Sequence, residues 1–339
     1  MMMRGRAEPK YQVIRDALAH ENNMLSITLM CELADVSRSG YYKWLDEAPE
    51  REAREAQDHM DFELILEAAR FRGYDKGARG IHMRLLHMDP LRIMNVKKIW
   101  RLMRKYNYVC PIRRANPYRR KLLEAIARTG AVANNEVGRH FIQAPRKILL
   151  TDITYLRRRD GKFSYMCSVL DAYTRQLLGY AVMQTMQDDV VMAALNMMLA
   201  SYGNELVKAP VVHSDQGSQF KSTSVIALLK DSELRRSMSK KATPWDNAPQ
   251  ESFFGHMKDD IGEKLDLCHA HEDICRVIDD WTDYYNNDRY QWGLAKLSPN
   301  EYYQYLTTGR YPLPVPPPKD SDDLDDADPL DNGVFRSLR

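Results

Sequence analysis

Between residues 145 and 240 the apolar positions come in short dense runs, not in long helical stripes. "RKILLTDITYL" and "KFSYMCSVLDAYTRQLLGYAVMQT" are rich in Ile, Leu, Val, Tyr and Thr, the residues that suit a pleated, half-buried surface. Asp171–Arg175 supplies a turn inside the second run. "DDVVMAALNMMLASYGN" then predicts a helix closed by Gly203 or Asn204. "APVVHSD" reads as a buried strand, "STSVIALLKDS" as a helix and "RRSMS" as another strand, with "PWDNAPQESFFGHMKDD" opening a further helix. This order predicts an α/β core, a mixed five-stranded sheet with helices on both faces.

The flanks carry helical spacing. In "SITLMCELADVSRSGYYKWL" the apolar Ile27, Met30 and Leu33 are interrupted by "ADVSRSG" before "YYKWL" resumes the pattern. That is a helix-turn-helix arrangement whose second helix would carry Arg38 to DNA; a plain helical hairpin is the alternative. The charged "DEAPEREAREAQDH" is expected to be a link. In "MNVKKIWRLMRKYNYV" one face is apolar while Lys97, Lys98, Arg101, Arg104 and Lys105 crowd the rest. Beyond the core, "EDICRVIDDWTDYYNNDRY" is the longest helical stretch, and "YPLPVPPPKD" leads into a tail expected to be disordered. The expected divisions are a helix-turn-helix segment 1–50, a basic helical region 51–121, a linker 122–144, the α/β core 145–266, its helical C-terminal part 267–311, and a Pro-rich acidic tail 312–339.

Charge sharpens this picture through its distribution. The net charge of the 339 residues is only +2. Yet no Asp or Glu interrupts the stretch from Arg92 to Lys121, which adds Arg113, Arg114, Arg119 and Arg120 to the basic residues above. A run this one-sided fits a polyanion, with a merely solvated helix face as the alternative. The five cysteines form no CxxC pair, no signal peptide opens the chain, and no stretch approaches the ~20 apolar residues of a membrane span. A cytoplasmic protein without membrane contact is expected.

Three acidic residues stand out. Asp152 sits inside an apolar strand, where a carboxylate is costly unless compensated. Asp215 ends the short strand "PVVHSD", a position where open α/β sheets place chemistry. Glu251 lies in the first turns of a helix, with Asn247 as a candidate N-cap and Gln250 completing a capping-box pattern. At ~100° per residue, Phe253, Phe254, Met257 and Ile261 share one arc. Glu251 and Lys258, seven apart, share the edge beside it. Three carboxylates suit Mg²⁺ or Mn²⁺, and two such ions can drive phosphoryl transfer. Zinc is disfavoured for want of a His/Cys pattern, so His213 and His256 read as packed neighbours.

Asp215 follows Asp152 by 63 positions, and 35 residues separate Asp215 from Glu251. This spacing resembles the D, D-35-E triad of retroviral-integrase-like transposases. More closely, "SRSGYYKWL", "VKKIWRLMRKY", "TDITYL", "HSDQGSQF", "DNAPQESFFGHMK" and "YYNNDRYQWGLAKLSPNEYY" resemble the OrfB product of the insertion-sequence-three family. The resemblance implies a ribonuclease-H-like core in which Asp152, Asp215 and Glu251 are catalytic and hold two Mg²⁺ ions, Mn²⁺ being able to substitute, with Lys258 on DNA. It implies cleavage at element ends and transfer of the freed 3′-hydroxyl into target DNA. The implied partners are terminal inverted repeats, target DNA, further copies in a synaptic complex, and an upstream-frame OrfA chain or fusion. The family's Tyr-Gly-Tyr-Arg-Arg-Ile segment reads "KGARGIHMRL" here. A DNA-binding regulator with an inert core and a hydrolysis-only nuclease are the alternatives.

Overall fold

A computed structural model describes residues 7–21, 23–74, 76–110, 144–239 and 248–318. The chain divides into two compact units, Met1–Leu66 and Glu67–Arg339.

The first unit packs three short helices, α1 (Ala7–Leu18), α2 (Ile27–Leu33) and α3 (Arg38–Asp46). Ser26 caps α2 and Ser37 caps α3 through their side-chain oxygens, as Ser does at an N-terminus. Ile14, Met30, Cys31, Tyr41 and Trp44 form the core. The two expected helices and the turn between them are therefore present, an arrangement that suits a helix-turn-helix and a plain helical hairpin alike, with Arg38 exposed at the start of α3. The charged stretch expected to be a link is instead the first half of α4 (Ala48–Arg70), 23 residues long. Its Glu, Ala, Arg and Gln residues are strong helix formers, and that propensity outweighs the absence of an apolar stripe.

In the second unit, α5 (Ala78–Leu86) buries Ile81, Met83, Leu85 and Leu86. α6 (Val96–Lys105), capped by Asn95, buries Ile99 and Leu102. Arg72 holds the left-handed φ of 58° just after α4. Its guanidinium donates to Asp283 and Asp288 at 2.7 Å each, while Tyr74 stacks on Tyr284 with ring centroids 4.3 Å apart. These contacts tie the α4–α5 segment to the long helix beyond the sheet.

The sheet comprises β1 (Ile148–Arg157), β2 (Phe163–Asp171), β3 (Leu177–Met183), β4 (Val211–Ser214) and β5 (Arg235–Met238), ordered β3-β2-β1-β4-β5. β1 runs antiparallel to β2 and parallel to β4, so the mixed five-stranded expectation holds. One face, including Leu149, Cys167 and Val169, packs under α7 (Asp188–Tyr202) and α8 (Thr223–Asp231). The other, including Leu150, Leu156, Met166 and Leu170, packs under α9 (Ala248–Leu265) and α10 (His271–Asn287). Helices thus cover both faces, and α11 (Pro299–Thr308) follows with a Ser298/Glu301 capping box. Residues 311–318 of the Pro-rich stretch form neither helix nor strand. Among the described residues no helix is long and apolar enough to cross a membrane.

Gly179 sits where β3 and α7 approach most closely. A Cβ there would meet the Ala194 carbonyl oxygen, with Met198 Cβ at 2.8 Å and Met198 N at 2.9 Å. Only a residue without a side chain lets the two backbones come this near.

Candidate active site

Parallel pairing of β1 with β4 aligns Ile148 with Val211, Leu149 with Val212 and Leu150 with His213. Asp152 stands two residues further along β1, and Asp215 comes just past the end of β4, near enough for its charge to act on Asp152. β4 owes its register to a buried core on both faces, and to His213, whose ring nitrogens lie 3.0 Å from the hydroxyls of Ser237 and Ser239. His213 is thus the packed neighbour expected. Asp215 is exposed and bends the chain: its Oδ1 accepts from the Gly217 N–H at 2.9 Å. A Cβ on Gly217 would lie 3.0 Å from that oxygen and 3.1 Å from Gln219 Oε1.

Glu251 arrives from the opposite direction. Phe253, Phe254, Met257 and Ile261 of α9 are all buried against the sheet, the arc expected from the spacing. Each such side chain stabilises the docked helix by roughly 1.5–3 kcal/mol. Asp260 fixes the far half, accepting from Trp281 Nε1 and Arg289 Nε at 3.1 Å each. Glu251 and Lys258 remain exposed along the edge of the same helix.

Gln250 departs from expectation. The N-cap position, Asn247, lies outside the described residues, but Gln250 itself is fully buried and its amide donates to Ser168 Oγ. Ser168 is the β2 residue paired with Asp152. Gln250 therefore pins the first turn of α9 beside Asp152, a role that the local capping pattern conceals because it depends on a strand 82 positions away.

The electrostatics follow from this arrangement. Burial pushes the Asp152 carboxyl up to about 7, the N–H of Ile153 (2.8 Å) opposes that, Asp215 and Glu251 raise it further, and Lys258 pulls it down. Burial in turn lowers the Lys258 ammonium, against the attraction of Asp152. These two residues thus feel each other, and Asp152 also feels both other carboxylates. Even so, among the described residues no three His, Cys, Asp or Glu side chains are grouped closely enough to hold a metal ion. The donors are all hard carboxylate oxygens, and half-buried Asp152 feels the charges of two further carboxylates and of Lys258. By chemistry the set fits a divalent cation.

Of the expected DNA contacts, Lys97, Arg101, Arg104 and Lys105 are exposed on α6 and Lys98 is half-buried. Arg113, Arg114, Arg119 and Arg120 lie outside the described residues.

The family description "Integrase core domain" matches residues 143–244, and a second of the same description matches 251–305. The fold and matched segments define an integrase-core protein. An uncharacterized 31 kDa protein of insertion element IS600 from Shigella sonnei is 27% identical over 274 residues, which is 80% of this chain and 96% of that protein. Transposase InsF for insertion sequence IS3A from Escherichia coli strain K12 is 29% identical over 291 residues, 82% of this chain and 93% of that one. The HTLV-2 integrase catalytic core domain, solved in complex with magnesium, aligns with a TM-score of 0.35 at 13% identity, over 43% of this chain and 90% of that one. The chain is a bacterial insertion-sequence transposase of the insertion-sequence-three type.

Proposed function

We propose that Asp152, Asp215 and Glu251 are the catalytic carboxylates with which this chain cuts DNA at element ends and joins the freed 3′-hydroxyl to target DNA. The observation carrying this reading is the register. The pairing of Leu150 with His213 and the bond from Gln250 to Ser168, the β2 partner of Asp152, support it by bringing the segments that carry the three carboxylates near one another, with the side chains still short of a metal-holding group. An inert regulator would have no need of the half-buried carboxylate of Asp152 at a cost to its core.

The same three residues would hold two Mg²⁺ ions, or Mn²⁺ in their place. When bound, such ions activate the attacking oxygen and stabilise the leaving one. The chain's own residues do the rest. Asp152 is rigid on the central strand, Glu251 is aimed from a helix anchored by Phe253 and Phe254, and Lys258 supplies a cation for a phosphate. Arg38 and the basic residues of α6, with Arg113, Arg114, Arg119 and Arg120, would bind terminal inverted repeats and target DNA. In this reading segments 1–50 and 51–121 grip DNA, 122–144 links, 145–266 catalyses, 267–311 braces the core, and 312–339 is a tail. The protein would act in the cytoplasm as a homo-oligomer in a synaptic complex, with an upstream-frame OrfA partner or as a fusion.

The test is a joining assay with terminal-repeat DNA and Mg²⁺. Asp152→Asn, Asp215→Asn and Glu251→Gln should each abolish cleavage and joining while DNA binding persists. Substantial activity in any one of them would sink the assignment. Free ends without joined product from the native chain would favour a hydrolysis-only nuclease.

A further inference from the structure

The β1–β2 hairpin carries an aromatic surface that the proposed reaction does not use. Along β1, Asp152, Thr154 and Leu156 face the α9 side, while Ile153, Tyr155 and Arg157 face the other. Ile153 lies over the buried core, but toward the hairpin tip the sheet outruns its helical cover. Tyr155 is 49% exposed and Phe163 44%. Tyr155 is paired with Tyr165 and Arg157 with Phe163. The rings meet edge to face, Tyr155 to Phe163 at 6.1 Å and Tyr155 to Tyr165 at 5.3 Å, so they form one contiguous cluster whose faces point in more than one direction.

The shelf is rigid and basic at its rim. Arg158 N–H donates to the Lys162 carbonyl at 2.9 Å, Asp160 accepts from Lys162 N–H at 3.0 Å, and Gly161 takes the left-handed φ of 81° that this turn requires. Arg159 N–H donates to the Cys268 carbonyl at 3.0 Å, which fastens the tip to the α9–α10 junction. Arg157, Arg159 and Lys162 are exposed, and Asp160 is the one acid among them, engaged by Arg158. Three aromatic rings among cations are complementary to a strand of nucleic acid: ring faces stack on bases while cations meet phosphates. Aromatic residues and Arg also mark protein interfaces, but Lys is depleted there, and Lys162 stands with Arg157 and Arg159 at this rim.

We infer that Tyr155, Phe163 and Tyr165 form a stacking platform for unpaired bases of the DNA whose end lies in the active site. Tyr155 is about 10 Å along β1 from Asp152, at ~3.3 Å per residue, and on the opposite face, so a strand leaving that site reaches it by rounding the β1 edge beyond Leu150, where the pairing with β4 ends. The inference rests on the proposed function for the presence of DNA, and it adds a structural preference: ends with a few unpaired nucleotides over fully paired ends.

The probe is a terminal-repeat duplex carrying a three-nucleotide unpaired flank labelled with 2-aminopurine, compared with the fully paired duplex. The full chain should bind the unpaired form about tenfold more tightly and shift the probe's fluorescence. Tyr155→Ala/Phe163→Ala should bring the two forms within about twofold, with affinity for the paired duplex unchanged. Tyr155→Phe/Phe163→Trp, which keeps the rings, should retain the preference. Equal binding of both forms by the native chain, or a preference that survives loss of both rings, would overturn the platform while leaving the DNA assignment intact. No binding to either form would instead fail the proposed function. A double alanine variant with altered oligomeric state by light scattering and unaltered DNA preference would show that a second copy covers the face, and would also overturn it.

Discussion

Replacing Asp152 by Asn should destroy activity and yet stabilise the metal-free protein. Asn retains an oxygen to accept the Ile153 N–H, which lies 2.8 Å from Asp152 Oδ1, so the change removes charge with little change of shape. The carboxyl is raised from 3.8 to about 7, first by burial and then by Asp215 and Glu251. Each unit of such a rise corresponds to about 1.4 kcal/mol, so ionising Asp152 in the fold costs at most about 4 kcal/mol. Solvent reaching a half-buried group should reduce that to about 2–4 kcal/mol. Because the folded value lies above the unfolded one, the stabilisation belonging to the protonated form is complete below pH 3.8 and is lost as the pH rises through about 7. Urea unfolding in EDTA at pH 8 should therefore show a midpoint roughly 1 M higher for Asp152→Asn, with the gap falling by more than half at pH 5. Adding ~10 mM Mg²⁺ should stabilise the native chain by about 1 kcal/mol, for a millimolar dissociation constant, and the variant by much less. If the variant is less stable than the native chain at pH 8, Asp152 is not in a desolvated, negatively charged setting and the reasoning fails.

Three other substitutions probe the elements that build the site. Lys258→Ala should weaken binding of terminal-repeat DNA and reduce the slope of log affinity against log salt by about 0.9, one phosphate contact; an unchanged slope would remove Lys258 from the interface. Gln250→Ala leaves the buried Ser168 hydroxyl without its partner, so it should cost about 1–3 kcal/mol in urea unfolding. It should also slow joining at least tenfold by loosening Glu251, and an unaffected joining rate would show that α9 is held in place without it. Gly179→Ala places a Cβ against the Ala194 carbonyl and Met198, and should lower stability by about 1–3 kcal/mol. An unchanged urea midpoint would mean that β3 and α7 separate freely.

How much of this was legible in the sequence depends on how far each signal reaches along the chain. Strand-forming runs, the Asp171–Arg175 turn and the aromatic arc of α9 are patterns within a dozen residues, and they appear in the fold as read. The first half of α4 reads as a link because its charged residues give no apolar stripe, even though they favour helix. Exposed Tyr155 and Phe163 looked like ordinary strand residues, since only the extent of helical cover distinguishes a core aromatic from a shelf.

By itself the sequence determined which segments are strands and helices and which helix faces are apolar, and its three spaced carboxylates with their neighbouring words pointed to transposition. The tertiary structure alone decided that Asp215 comes near Asp152, because strand register comes from packing non-local faces together and a shift of one residue would turn every side chain over. It also turned Gln250 from a cap into a tie between helix and strand. A buried amide seeks whatever partner lies within reach in space, and that partner is far along the chain.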